Sequence, residues 1–411
     1  MTPAGQNDLW ECDLLIVGAG PAGAAAAIEG ARRGCRVVVV DKARFPRDKC
    51  CGDGLTTGAL RHLDELGVDI ASIASWKTVD EVTLRSPRGR EVVFPLPAGA
   101  GHYAAIARRS ELDAALVDVV RQEGATVLEG HELRAVTQDA EGITGSVDDL
   151  ELRARALIAA DGMWSPTRKM LGVSDRSYRG EWHAFRHYVQ DVTGPAADRL
   201  IVWFEADLLP GYAWSFPLAG GAVNVGFGIR RGHNHQIQDM KSLWPNLLRR
   251  PHVVAALGDG AKPEGPHRAW PIPARLGELP LSVGRAIFVG DAAAATDPMT
   301  GEGIGQALET GRLAVDALLT AGLDAPEPAA LRYRQHLEQS MVRDHRLASR
   351  LSAVLANRTA TEAALAVAGT SDWSRRNFAR WLFEDYPRAV LATPNRWPLV
   401  SNQPGPYAEH R

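Results

Sequence analysis

The stretch from Asp13 to Asp41, DLLIVGAGPAGAAAAIEGARRGCRVVVVD, leaves this chain few ways to begin folding. Leu14 to Val17 is a short apolar run suited to a strand buried on both faces, and it runs directly into Gly18, Gly20 and Gly23 in the order G-x-G-x-x-G. A helix of small residues follows, and Gly34 ends it. Arg36 to Val40 reads as a second strand that finishes on an acid, Asp41, 18 positions beyond Gly23. These are the parts of a dinucleotide-binding βαβ unit. Gly18 permits the tight turn, Gly20 lets the backbone approach a pyrophosphate, and Gly23 lets the helix lie close to the strand. The helix N-terminus adds N–H groups and partial positive charge. Asp41 is placed to hydrogen-bond the hydroxyls of an adenosine ribose. A glycine motif alone would be an ordinary turn; strand, helix and terminal acid in register make it a cofactor site, without choosing between NAD and FAD.

Composition sets the scale around this unit. At 411 residues, 45% hydrophobic and 23% charged, the chain can bury a large core and is expected to form two or three interleaved lobes. The net charge is −3 and there is no long basic run, so the electrostatics speak against a nucleic-acid partner. The N-terminal MTPAGQND has neither a basic flank nor an apolar core, and no stretch reaches the roughly 18 consecutive apolar residues a membrane span needs. The expectation is a cytoplasmic protein without an integral anchor. None of the four cysteines, Cys12, Cys35, Cys50 and Cys51, has C-x-x-C spacing, so no metal site is expected. Cys12 and Cys35 flank the opening strands as small hydrophobes.

The vicinal pair Cys50-Cys51 has a different setting, the loop Phe45-Pro-Arg-Asp-Lys-Cys-Cys-Gly-Asp-Gly54 ahead of a helix expected from Thr56 to Leu66. Two incidental cysteines in a surface loop is the plain reading. The loop, however, resembles the F-P-R-x-K-x-C-G-(D/G)-G segment of the geranylgeranyl reductase family of FAD enzymes, with Cys51 on that family's cysteine and Cys50 where relatives often carry proline. Further on, Val79 to Phe94 reads as a hairpin and Tyr103 to Ala107 as a strand. Ser110 with Asp113 reads as a variant capping box opening a helix to Gln122. The resemblance adds an R-x-x-L-D pattern that faces the flavin, matched by Arg109. Strands at Thr126 to Glu129, Ala135 to Thr137, Ile143 to Val147 and Glu151 to Ala160 are expected to form a meander.

Two further strand ends carry an acid. Ala159-Ala-Asp161-Gly162 is followed by Ser165-Pro-Thr-Arg168, and Ala286-Ile-Phe-Val-Gly290-Asp291 runs through Asp297-Pro298 into Gly301-Glu-Gly303-Ile304, which opens a long helix. Each by itself could be only a turn. In order and spacing, the three motifs resemble the FAD-binding set of the aromatic hydroxylase-like flavoproteins. The resemblance implies cofactor contacts at Gly18, Gly20, Gly23, Asp41, Lys42, Lys49, Cys51, Gly52 and Arg109. In the later motifs it implies Asp161, Gly162, Arg168, Gly290, Asp291, Pro298, Gly301, Gly303 and Ile304. A helix end aimed at the flavin would stabilise negative charge on the reduced ring.

Between these segments, Trp182 to Arg230 reads as a second sheet. Its Pro210-Gly-Tyr-Ala-Trp-Ser-Phe-Pro217 and Val223-Asn-Val-Gly-Phe-Gly228 closely resemble the reductase family's P-G-Y-x-W-x-F-P and N-V-G-x-G signature. Alternation puts Tyr212, Trp214 and Phe216 on one strand face, either as sheet core or as a substrate pocket. The halogenase signature W-x-W-x-I-P is not met, since Tyr212 and Phe216 replace its first Trp and its Ile. A polar helical stretch is expected from Gln236 to Arg250, and helices from Ala286 onward to about Leu391. Near the end, Trp373, Phe378, Trp381, Leu382 and Phe383 interleave with Arg375, Arg376 and Arg380. This suits a packed amphipathic helix with wet arginines, a membrane-surface contact, or a lid over a long apolar site. The tail after Pro394 is expected to be extended.

The resemblance spans about Asp13 to Thr320 and implies an α/β fold: a Rossmann-like FAD-binding domain over 1–75, 103–172 and 276–345, interleaved with a mixed or antiparallel substrate sheet over 76–102 and 173–275. A helical segment over 346–411 completes it. It implies an FAD-dependent oxidoreductase that hydrogenates an unactivated C=C bond of an isoprenoid, with Cys51, Tyr212 and Trp214 as catalytic candidates. Its substrate would be a hydrophobic small molecule or lipid. A monooxygenase or halogenase on the same fold, or a non-catalytic flavin-binding protein, is the alternative. No second dinucleotide fingerprint is present, so NAD(P)H would dock transiently at the flavin, or another reduced carrier would supply the electrons.

Overall fold

The computed structural model describes residues 9–96, 103–233 and 235–383. The first eight residues, the extension of helices to Leu391 and the tail after Pro394 lie outside the described residues. Strand β1 (Leu9–Val17) passes through the glycine turn into α1 (Pro21–Arg32) and on to β2 (Val37–Asp41). The loop over 42–53 leads to a two-residue strand β3 (Gly54–Leu55) and to α2 (Thr57–Glu65), where Thr56 caps the helix by accepting from the Ala59 amide. Short β4 (Lys77–Thr78) precedes the hairpin of β5 (Glu81–Arg85) and β6 (Glu91–Pro95), and β7 (Ala105–Ile106) leads into α3 (Arg109–Gln122). Strands β8 (Thr126–Glu129), β9 (Leu133–Gln138), β10 (Ile143–Val147) and β11 (Leu150–Ala159) follow, then α4 (Pro166–Met170).

The second half opens with β12 (Trp182–Gln190), β13 (Leu200–Trp203), β14 (Ala213–Pro217) and β15 (Val223–Arg230). Helices α5 (Met240–Leu248) and α6 (Pro251–Leu257) separate these from β16 (Lys262–Ile272). The chain returns through β17 (Ser282–Val283) and β18 (Ala286–Phe288) to α7 (Ile304–Ala321) and α8 (Pro326–Leu337). A π-helical turn at Glu338–Val342 joins α8 to α9 (Arg343–Leu355), and α10 (Arg358–Ala368) and α11 (Asp372–Leu382) follow.

Two large sheets result. The first has the order β17-β18-β11-β1-β2-β8, with β9 and β10 added antiparallel to the outer half of β11. Its centre is parallel: β1 pairs with β11 on one side and β2 on the other, and β18 continues along β11. Parallel strands need crossovers that cover both faces, which is why Leu14, Leu15 and Ile16 are all buried rather than alternating. The alanine-rich α1 lets α7 come close. A Cβ on Gly311 of α7 would lie 2.2 Å from the Ala22 carbonyl oxygen, and one on Gly23 would lie 1.8 Å from that of Gly18. The second sheet, β16-β12-β15-β14-β13-β5-β6, is antiparallel except where β5 meets β13, and the β5–β6 hairpin reaches it from early in the chain. One of its faces packs on α5 and α6 through Phe185, Phe227 and Trp244. The other looks toward the first sheet and the C-terminal helices.

Two local expectations are corrected, and one strand forms where none was expected. Thr126 to Glu129 does not join the meander; β8 pairs parallel with β2 as the far edge of the first sheet, because α3 carries the chain across before it. The Ser110 capping box does not form: α3 starts at Arg109, and Asp113 is turned inward to take a bidentate pair from Arg109. The eleven-residue β16, with prolines at 263, 266 and 271, was not expected as a strand. It is an edge strand, the position where missing N–H donors are tolerated.

If close approach at Gly311 sets the α1–α7 spacing, Gly311→Val should lower the unfolding free energy by about 1–3 kcal/mol or more through overpacking. Denaturant titration of the variant measures it, and an unchanged midpoint would show that the spacing does not depend on this residue.

Candidate functional site

A cavity of about 690 Å³ runs between the two sheets, from the glycine turn after β1 to the helices α9–α11. Its first part is built from strand ends of the parallel sheet. Gly20 caps α1 without any side-chain cap, and Pro21 occupies the first helical position, so the first-turn amides point out of the helix at the cavity wall. A Cβ on Gly20 would meet nothing nearer than Arg47 Nη2 at 3.5 Å; that open volume is the space a phosphate group would fill. Asp41 also lines the cavity. Its carboxylate is fixed by the Ala19 and Ala43 amides, both at 2.8 Å, which leaves further lone pairs for a ribose. Asp291 lines it too, its carboxylate accepting from the Thr296 hydroxyl at 3.3 Å. Beside it Gly301, Gly303 and Ile304 bring in the start of α7, where Glu302 caps the Gly305 amide at 2.8 Å.

The middle of the cavity is the 45–54 loop. Arg186 and Arg268 of the second sheet both hold Asp48, at 2.6 Å each. Arg47 and Arg109 share Asp113, at 3.0 and 2.8 Å. Lys49 lies over the Trp270 ring, its ammonium 3.9 Å from the centroid, and burial lowers its pKa. Burial also raises both thiols, Cys50 to about 12, while Arg109 only partly opposes the rise at Cys51. At Cys51 desolvation thus outweighs the nearby cations, and the thiol keeps its proton at neutral pH.

Across from the loop stands the aromatic strand. Tyr212, Trp214 and Phe216 all line the cavity, with neighbouring ring centroids 5.9 and 6.0 Å apart. Phe216 packs on Gly54 and Gly52, where added Cβ atoms would sit 3.2 and 3.4 Å from its ring. The Tyr212 hydroxyl donates to the Thr300 carbonyl, tying this strand to the segment before α7. The indole N–H of Trp214 donates to Asn224 Oδ1 at 3.0 Å. Beyond the rings the cavity turns apolar, with Leu84 and Val202 on the sheet side and Leu355, Leu365, Phe378 and Trp381 on the helix side.

Most of the residues singled out in the sequence thus meet in one place, Lys42, Gly52, Asp161, Gly162 and Gly290 included. Three do not line it. Gly23 serves helix packing, Pro298 is buried behind the wall, and Arg168 is spent on the Ala292 and Pro280 carbonyls while stacking on Phe288. At α11 and its C-terminal end, Phe378, Trp381, Leu382 and Phe383 line the cavity, while Phe378, Leu382 and Phe383 also pack with the apolar core under the second sheet. The expectation of wet arginines is corrected at Arg380, which is only 5% exposed, and Trp373 is 52% exposed instead. Sequence reasoning passed over Asp53, Tyr188, Arg186 and Asn224. Asp53 and Asn224 lay inside the quoted motifs; the other two gave no signal, because they act from a strand distant in sequence.

Replacing Gly20 by Val should fill the phosphate space and abolish cofactor retention with the chain still folded; a normal flavin spectrum in the purified variant would overturn this use of the turn. Asp291→Ala should weaken FAD binding by about 1.5–3 kcal/mol, the loss of a charge-assisted hydrogen bond, and an unchanged dissociation constant in a reconstitution titration would reject the role.

Comparison with known proteins agrees with this geometry. The family model described as FAD binding domain matches residues 11–321. Menaquinone reductase of Mycolicibacterium smegmatis is 34% identical over 76% of this chain and 77% of its own length. Digeranylgeranylglycerophospholipid reductase 2 of Methanopyrus kandleri is 28% identical over 84% and 86%. The crystal structure of a geranylgeranyl bacteriochlorophyll reductase-like protein from Thermoplasma acidophilum superposes with a TM-score of 0.78 at 20% identity, over 94% of this chain and 99% of the other.

Proposed function

We propose, on the premise that this chain belongs to the FAD-dependent oxidoreductases of the geranylgeranyl reductase family, that it saturates carbon–carbon double bonds in a long isoprenoid chain carried by a quinone or lipid. The observation that carries the proposal is the shape and chemistry of the cavity. It continues from the cofactor end, past three aromatic rings, into an apolar end walled by Leu84, Val202, Leu355, Leu365, Phe378 and Trp381. An isoprenoid offers no polar handle, so it must be held by shape and burial, at about 0.8 kcal/mol per methylene-sized group. The substrates named in the relatives, menaquinone and a digeranylgeranyl lipid, are of this kind.

Gly20 and the first turn of α1 would hold the pyrophosphate, Asp41 the adenosine ribose, and Asp291 the ribityl and pyrophosphate region. The start of α7, at Gly303 and Ile304, would face the ring. Bound FAD supplies the electron pair that the reduction consumes. The electrons reach it from NAD(P)H or from another reduced carrier. Tyr212, Trp214 and Phe216 offer the substrate an aromatic wall that Gly52 and Gly54 back by close packing, and Phe378, Trp381 and Phe383 exclude water from the far end. An alkene also needs a proton at its second carbon. Cys51 is the group we assign to it, since its thiol is protonated and faces the cavity, whereas the Tyr212 hydroxyl is committed to Thr300. Among the described residues no helix is long and apolar enough to cross a membrane. We propose a cytoplasmic enzyme that meets its lipid at a membrane surface through α9–α11, where Val354, Val367 and Trp373 are exposed on the helices that wall the apolar end.

The test is anaerobic turnover of prenylated quinones and geranylgeranyl lipids by the chemically reduced holoprotein, with products read by mass spectrometry. The expected products carry two added hydrogens per double bond reduced. Cys51→Ala should keep its FAD and lose about 100-fold or more in turnover, the usual scale of a general acid, while Cys50→Ala changes much less. Parent-like rates and products from Cys51→Ala on every prenyl substrate would overturn the assignment.

A further inference from the structure

Asp53 sits at the junction of the 45–54 loop, the second sheet and the approach to α3, and it is fully buried. Its backbone is left-handed, with φ 65°, a conformation Asp tolerates better than most residues. Carboxylate Oδ2 accepts two hydrogen bonds, from the Tyr188 hydroxyl at 2.6 Å and from Asn224 Nδ2 at 2.8 Å. Oδ1 is buried with no partner. Asn224 spends its amide completely: Nδ2 also donates to the Cys51 carbonyl at 2.9 Å, and Oδ1 accepts the Trp214 indole N–H at 3.0 Å. The Asp53 amide itself faces Cys51 Sγ at 3.4 Å. One carboxylate therefore anchors a bracket whose two ends are the proposed proton donor and the central ring of the substrate strand.

We infer that Asp53 is a positioning residue which, in its ionised form, holds Asn224 and through it fixes the Cys51 carbonyl and the Trp214 indole on the cavity wall. The inference rests on the reading of the site as an alkene reductase. The donor pattern supports the ionised form. A neutral carboxyl would either leave its hydrogen on Oδ1, where nothing accepts it, or turn the Tyr188 hydroxyl from donor to acceptor, and either way the bonds that Oδ2 receives would weaken. The charged and titratable groups around it are Cys51 on its own loop, Arg108 and Arg109 at the start of α3, and Arg186 and Tyr188 on β12, with neutral Asn224 on β15. None of these arginines makes an ion pair with it. Burial raises its pKa to about 6, opposed first by the Tyr188 hydrogen bond.

The direction of that shift separates function from mere structure. A carboxyl whose folded pKa lies above its unfolded value near 3.8 favours the fold when protonated, and that contribution disappears as pH rises through about 6. At pH 7.5 the ionised Asp53 works against stability while it serves the site. Asn at this position keeps the size and accepts left-handed backbone, but removes the charge.

The experiment compares Asp53→Asn with the parent holoprotein in FAD content, thermal midpoint against pH, and steady-state turnover against pH. Asp53→Asn should retain FAD and match or exceed the parent's thermal midpoint at pH 7.5. Its kcat should fall about tenfold or more, as for a lost charge-assisted bond, with KM little changed. The parent's loss of turnover below about pH 6 should vanish in the variant. Tyr188→Phe, which removes one donor and so raises the Asp53 pKa further, should move that acid limb to higher pH. Parent-like kcat and pH profile in Asp53→Asn would overturn the inference, as would a midpoint depressed at pH 7.5 together with an unmoved limb in Tyr188→Phe. If Asp53→Asn fails to fold, the Tyr188→Phe limb alone decides. A parent enzyme that reduces no prenyl substrate overturns the reading beneath the inference, a result separate from either variant.

Discussion

The irregular backbone between Phe45 and Gly54 runs between two sheets, and everything at the site depends on its being held there. Neither sheet ladder includes the loop from 45 to 53, so its polar groups must be satisfied by side chains reaching in from elsewhere. Four elements do so. Arg186 on β12 and Arg268 on β16 grip Asp48, Asn224 on β15 binds the Cys51 carbonyl, and Asp113 on α3 gathers Arg47 and Arg109. Asp113 is wholly buried and Arg109 nearly so, and removing one partner of such a pair strands the other, at about 3–5 kcal/mol. The loop is thereby a rigid wall, with the cofactor end of the cavity on one side and the aromatic strand on the other.

This arrangement explains why two sheets of different type are interleaved in one chain. The parallel sheet supplies strand ends and helix N-termini, which suit phosphate and ribose hydroxyls but provide no long apolar surface. The second sheet supplies that surface, and the C-terminal helices cover the face that lines the cavity. Phe94 of β6 meets Phe378 of α11 with centroids 4.9 Å apart, so the hairpin that leaves the first sheet early is also what α11 closes against. Apolar enclosure and cofactor geometry are joined at the Tyr212–Thr300 hydrogen bond and at the glycines under Phe216.

How much of this could be read in the residues follows from what each signal depends on. The βαβ unit was legible because its meaning is local: turn, helix start and strand end lie within thirty residues. The later Asp161-Gly162 and Gly290-Asp291 ends were legible only as companions to it, and the aromatic alternation of Tyr212, Trp214 and Phe216 placed all three rings on the cavity as the period of a strand requires. Long-range partners were not legible. Asp113 reads locally as a cap residue and is in fact the anchor of two arginines from different elements, and the proline-rich stretch of β16 carries no strand pattern of its own until an edge position makes those prolines acceptable. Thiol acidity also could not be read, because it turned on burial and not on the neighbouring Lys49. Arg168 shows the opposite failure: its motif companions reach the cavity while its own side chain is spent on backbone carbonyls.

The central claim is that this cavity takes electrons from the bound cofactor to an alkene and not to oxygen. Stopped-flow mixing of the chemically reduced holoprotein tests it most directly, once in the absence of oxygen with a geranylgeranyl lipid, which has no quinone ring to take the electrons, and once with oxygen alone. The account predicts reoxidation by the prenyl substrate at a catalytically competent rate, and a direct return to the oxidised spectrum with oxygen. A long-lived oxygen-dependent species, spectrally distinct from both oxidised and reduced flavin, together with no reoxidation by any prenyl substrate, would contradict it.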